Sequence, residues 1–184
     1  GEDLSGRLPE LALNAWREQA ERGTCPASLS RLERAVLCRL RSMTVEDFSR
    51  LPDVSEGLEH RLRQAARQAG SLEEFYALVK SKRYSHARVR RLCMSAFLGL
   101  TRDLPPLPLY LRVLGMTPAG QEILRQTRPS LPLALRAGDF SKLGGEALSL
   151  FELEARAGDL YGLALPRPTP CGRDYTERLV KVGF

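Results

Sequence analysis

Apolar residues recur at helical spacing through the first hundred positions of the chain. Leu8 to Arg22 reads as a first helix carrying the only tryptophan, Trp16, and GTCPAS breaks it. Ser30 followed three residues on by Glu33 predicts a capping box, opening a helix with Leu32, Val36, Leu37 and Leu40 on one side. Thr44 and Asp47 repeat the signature at the head of a short helix that ends before Pro52. Ser55 is expected to cap the next helix, whose apolar positions Leu58, Leu62, Ala65, Ala66 and Ala69 make one face, with Gly70 as its stop. Ser71 and Glu74 form another box ahead of Leu72, Phe75 and Val79. Ser85 then caps a helix striped at Val89, Leu92, Cys93, Ala96, Phe97 and Leu100, positions i, i+3, i+4, i+7, i+8 and i+11.

The period fails at TRDLPPLPLY, where three prolines in four positions exclude a helix. The pattern that follows is mixed. LYLRVLGM and LPLALRAG are strand-like, and Gly115 is expected to end the first of them. Thr117-Pro118 opens a helix to about Gln126. A further helix is expected from Gly144 to Ala157, stopped by Gly158, and PRPTPCGRDYTERLVKVGF reads as an extended tail. The expected fold is mainly α, with a helical bundle over residues 1–104 followed by a small α/β subdomain over residues 105–184.

A chain of 184 residues with 43% hydrophobic and 27% charged positions is long and apolar enough to bury a core. No apolar run approaches the roughly 18 residues of a membrane span. The four cysteines stand too far apart for a zinc knuckle or a CxxC pair, and Cys38 and Cys93, set in apolar stripes, read as buried free thiols. Trp16 is expected to pack the first helix onto the core, or else onto another domain.

Charge changes the picture more. The chain carries a net +6, and the segment 58–93 holds seven Arg and two Lys against Glu59, Glu73 and Glu74, an excess as large as that of the whole chain. Its densest part is KSKRYSHARVRRL, residues 80–92. Concentrated positive charge is the first footprint of a nucleic-acid binder. Arg61, Arg67, Lys80, Lys82, Arg83, Arg88, Arg90 and Arg91 are candidates to neutralise RNA phosphates, and Tyr84 to stack on an unpaired base. Ser55, Glu56 and Gly57 form a second candidate. A glycine in a first helical turn costs about 1 kcal/mol against Ala, so its presence points to close approach by a ligand or another domain. The competing reading pairs the arginines with Glu56, Glu59 or acids of another domain. Catalytic signatures are absent: there is no glycine-rich phosphate loop, GxSxG or HExxH, and His60 and His86 are the only imidazoles. No catalytic residue or metal ligand is assigned.

Three stretches in order, PDVSEGLEHRL (52–62), KSKRYSHARVRRL (80–92) and YLRVLGMTPAGQEIL (110–124), followed by DLYGLAL (159–165), resemble the C-terminal half of the tRNA(Met) cytidine acetate ligase family. The resemblance covers roughly residues 30–165. The family pattern favours Thr where this chain has Ser85, and Arg88 and Arg91 match its arginines. The resemblance implies a bacterial cytoplasmic enzyme that makes acetyl-adenylate from ATP and acetate. The acetyl group then passes to N4 of the wobble cytidine of elongator tRNA(Met). It also implies that the HxGH-type motif and most ATP contacts belong to an N-terminal nucleotidyltransferase domain missing from this chain, which starts without Met. The chain would then be the tRNA-binding region, inactive alone, with the tRNA and the missing domain as partners. The alternative is a non-catalytic interaction or dimerisation domain that orders the catalytic half.

Overall fold

A computed structural model describes residues 6–55 and 57–184, which form two compact units. The first runs to Leu104 and includes Leu160–Thr169; the second comprises Pro105–Asp159 and Pro170–Phe184.

The first unit is built from α1 (Glu10–Arg22), α2 (Leu29–Ser42), α3 (Val45–Ser49), α4 (Leu58–Gln68), α5 (Leu72–Val79) and α6 (His86–Leu98). α2 packs on α4 and α6, α4 on α3 and α5, and α5 on α6. The apolar stripes meet in one core, where Val36, Leu40, Phe48, Leu58, Phe75, Val79 and Val89 are fully buried. Trp16 stays outside, 39% exposed, and Cys38 is exposed whereas Cys93 is buried.

The caps show how tertiary demand edits local signals. Thr44 and Asp47 make both bonds of a capping box, at 3.1 and 2.8 Å. Ser71 accepts from the Glu74 N–H, but the Glu74 carboxylate reaches past it to the Gly70 N–H at 2.7 Å. The box at Ser30 does not form. Ser28 is the cap residue of α2, its hydroxyl bonded to the Ser30 hydroxyl and not to a helix N–H, and Glu33 turns away to accept the Leu72 N–H at 2.9 Å. A helix start offers unpaired N–H groups and the positive end of the helix dipole, and the carboxylate of α2 satisfies the start of α5. Glu33→Ala should therefore lower the unfolding free energy by about 1–2 kcal/mol in urea titrations, with Glu33→Gln intermediate.

Ser55 does not cap α4. The cap is Gly57, at φ 79° and ψ −8°, and the Ser55 carbonyl accepts from the Leu58 N–H at 3.0 Å. A Cβ at Gly57 would meet nothing within 4 Å. The glycine serves a left-handed backbone, and no atom of this chain approaches it closely. Glu56 lies outside the described residues.

Several arginines close helix ends. Arg61 donates to the Leu78 carbonyl at 2.8 and 3.1 Å and to the Lys80 carbonyl at 3.0 Å, past the last turn of α5. Arg41 donates to Ala69 at the end of α4 and Arg63 to Arg41 at the end of α2, both at 2.8 Å. Cations suit helix C-termini, so part of the basic excess is architectural. The segment 160–169, assigned from sequence to the second subdomain, belongs to the first unit. Ala164 joins its core, and the Ala164 carbonyl accepts from the Ser28 N–H at 2.9 Å.

The second unit contains β1 (Leu111–Arg112), β2 (Gly115–Met116), α7 (Pro118–Gln126), β3 (Leu133–Ala134), α8 (Ala137–Phe140), α9 (Gly145–Gly162) up to Asp159, α10 (Arg173–Thr176) and β4 (Val180–Lys181). The expected single strand is two short ones with different partners. β1 lies parallel to β3, with Leu111 opposite Leu133, and β2 lies parallel to β4, with Gly115 opposite Val180. Gly115 thus begins a strand instead of ending one. α9 continues through Gly158, where a Cβ would come within 2.7 Å of the Asp174 carboxylate, so this glycine is a close-approach position. The tail folds into α10 and β4. The core is Tyr110, Ala134, Phe140, Ala147, Phe151 and Ala155, with the Phe140 and Phe151 rings stacked at 3.8 Å. The fold is helical with short parallel strands, not a pure bundle.

Candidate nucleic-acid interface

A groove of about 620 Å³ opens in the first unit. The segment after α3 brings Ser49, Val54 and Ser55 to it, and the first turn of α4 brings Glu59. Arg83 and Tyr84 come from the turn before α6, Arg88 from its first turn, and Arg102 from beyond its end. Ser55 and Glu59 of SEGLE and Arg83 and Tyr84 of KSKRY, motifs separated in sequence, therefore line one groove.

The turn is closed by reciprocal bonds between Ser81 and Tyr84, 3.3 Å from the Ser81 N–H and 3.2 Å from the Tyr84 N–H. Tyr84 anchors it, being 9% exposed and part of the core. The ring is faced by the Arg88 guanidinium, 5.3 Å from its centroid. This corrects the expectation of an open stacking platform: the ring is buried because the turn needs an apolar anchor, and the cation covers its face. Arg88 also donates to the Asp53 carbonyl at 2.5 Å. Asp53 sits at φ 62°, a strained conformation for a residue with a Cβ. Arg102 donates through its side chain to the Ser49 carbonyl, and its N–H to the Arg50 carbonyl at 2.9 Å. Glu59 accepts from the Gly57 N–H at 3.3 Å.

Three arginines and one carboxylate, Glu59, line this groove. Two are held in place, Arg88 by Asp53 and Tyr84 and Arg102 by Ser49. Among the described residues Arg83 has no side-chain partner, and neither do Lys80, Lys82, Arg91 and Arg67. Arg67 is eight residues along α4 from Glu59, about 12 Å at helical rise, so it is not brought to the groove. Arg61 is committed to α5, and Arg90 pairs with Glu73 at 3.3 Å over the Tyr76 ring. The arginines do not pair with Glu59 as the competing reading expected. Arg102 was missed because it lies in the proline-rich break, where no periodicity marks a functional position.

His60 stands 3.7 Å from Glu59 and His86 packs edge-on against Tyr76. No group of three or more potential metal ligands occurs among the described residues, and no helix there is long and apolar enough to cross a membrane.

The family model described as HIGH Nucleotidyl Transferase matches residues 2–175. The tRNA(Met) cytidine acetate ligase of Acetivibrio thermocellus is 32% identical over 188 residues, covering 96% of this chain and 45% of that protein. The ligase of the same name from Syntrophomonas wolfei is 33% identical over 168 residues, covering 84% and 40%. Among solved structures, Thermotoga maritima TmcAL in its apo form superposes with a TM-score of 0.83 at 25% identity, over 95% of this chain and 46% of that one. The same protein bound with alpha-thio ATP gives 0.83 at 27% identity. The chain spans about half the length of these relatives. The family match overturns the placement of this chain in a C-terminal region without the nucleotidyltransferase part. That placement rests on the order of the three motifs and on the absence of an HxGH motif, whereas the match extends over nearly the whole chain without one.

Proposed function

Because the chain belongs to the HIGH nucleotidyl transferase family, we propose that it works within a tRNA(Met) cytidine acetate ligase and that its arginine groove holds the tRNA backbone. The observation that carries this reading is the convergence of Arg83, Arg88 and Arg102 on one groove, with Lys80, Lys82 and Arg91 of the adjoining segment lacking side-chain partners among the described residues. Fixed guanidinium groups give a phosphate two parallel donors without losing rotamer freedom on binding. Free cations outside the groove extend the footprint beyond what one nucleotide needs and add salt-sensitive attraction. The ligase reaction, with ATP and acetate consumed and N4 of the wobble cytidine acetylated, is the activity this surface would serve by positioning the RNA.

A second reading places ATP itself in the groove. Its volume falls within the roughly 300–1,000 Å³ of small-ligand pockets, and one structurally similar relative binds alpha-thio ATP.

The test is binding of unmodified elongator tRNA(Met), against an unrelated tRNA, at about 50 and 200 mM salt. Affinity should fall roughly 10³-fold across that range if about six phosphates are engaged, and Lys82→Ala with Arg91→Ala should flatten the dependence. Salt-insensitive or absent binding would assign the cations to a protein partner. Saturable binding of ATP that displaces the tRNA would give the groove to the nucleotide.

A further inference from the structure

We propose that the second unit carries an oxyanion site of its own, where its central strand changes partners. The segment 111–116 pairs with β3 on one side through its first half and with β4 on the other through its second. The Val113 N–H donates to the Ala134 carbonyl at 2.9 Å, and the Leu114 carbonyl accepts from the Val180 N–H at 3.1 Å. A cavity of about 220 Å³ lies at this point, walled by Leu135, Phe140, Leu179 and Val180.

Three arginines, Arg112, Arg136 and Arg178, and two acids, Asp174 and Glu177, line it. The acids are engaged. Asp174 is 2.5 Å from Arg112, in a pair whose side chains are 27% and 23% exposed, and Glu177 is bound by Arg173. Arg112 is further fixed over the Phe151 ring, 5.6 Å from its centroid. Arg136 donates to the Asp139 carboxylate twice, through its backbone N–H at 3.2 Å and its Nε at 3.4 Å. Arg178 has no side-chain partner among the described residues. Arg136 is thus offset by Asp139, and positive charge without a carboxylate partner among the described residues remains at Arg178, beside an apolar wall.

Size restricts the ligand. A water occupies about 30 Å³ of liquid, so the cavity matches roughly seven waters, below the range of nucleotide-sized pockets. A phosphate or a short-chain carboxylate fits.

The experiment is an NMR titration of the full chain with sodium phosphate and, separately, sodium propionate, against sodium chloride of equal ionic strength. The amides of Ala137, Leu179 and Val180 should shift saturably with at least one oxyanion and not with chloride. Phosphate alone or propionate alone would tell which oxyanion the site takes. Arg178→Ala and Arg178→Gln should each weaken that binding roughly tenfold or more. Because the readout is residue-specific, phosphate entering the groove of the first unit registers separately at Ser55 and Tyr84. Shifts that follow chloride, or an affinity unchanged in both Arg178 variants, would overturn the site.

Discussion

Arg83→Ala should weaken tRNA binding roughly tenfold and leave the melting temperature unchanged, whereas Arg88→Ala should weaken binding as much and also lower the Tm by several degrees. The two residues line the same groove and carry the same charge, but the fold uses them differently. Arg83 has no side-chain partner among the described residues, so on the proposed reading its removal should delete one phosphate contact and reduce the salt slope by about one. Arg88 holds the strained Asp53 carbonyl and covers the Tyr84 ring. Truncating it leaves a carbonyl unpaired and an aromatic face open, together worth about 1–2 kcal/mol. Arg88→Lys separates the roles further. The charge returns, so binding should recover in part, but an ammonium cannot supply the planar fork that joins carbonyl and ring, so the Tm should stay low. Calorimetry alongside filter binding reads both quantities. A drop in Tm for Arg83→Ala equal to that for Arg88→Ala would make the unpaired cation structural and remove the argument for it as an RNA contact.

That division explains what the sequence could and could not carry. The helices of the first unit were legible because a stripe such as Val89, Leu92, Cys93 and Ala96 has one periodic solution, and these residues are buried as a face. Cap residues were less legible. Ser30 and Glu33 have the right spacing, yet Glu33 is captured by a helix start 39 positions away, which no local rule contains. The short strands failed for a related reason. Two-residue strands with different partners are defined by pairing, and pairing is not periodic. For the site, charge density located the turn at Lys80 to Arg83, but it could not separate arginines that close helices, such as Arg61, from those that face the groove. Arg102 carried no signal at all.

Above about pH 9 the first unit should lose stability steeply, by about 2–3 kcal/mol by pH 11, and most of that loss should vanish in Cys93→Ala. Cys93 is 1% exposed, and burial pushes its thiol from 9.0 up to about 11. The folded state therefore retains the proton through a range in which the unfolded chain has lost it. With fewer protons bound to the unfolded state, stability falls as pH rises: the contribution is complete below 9 and gone above 11. The Tyr76 hydroxyl acts in the same direction. It is pushed above its ordinary value, first by burial and then by the neighbouring Cys93, so it keeps its proton in the fold after an exposed phenol would have ionised. This hydroxyl is buried without a well-formed hydrogen bond, so Tyr76→Phe should be neutral or slightly stabilising at pH 7, and it should remove the remainder of the alkaline loss. Urea midpoints for the wild type and both variants at about pH 8, 9, 10 and 11 give the result directly. A Cys93→Ala midpoint that falls as steeply as the wild type's would place the alkaline transition in other groups, and Cys93 would count as packing alone.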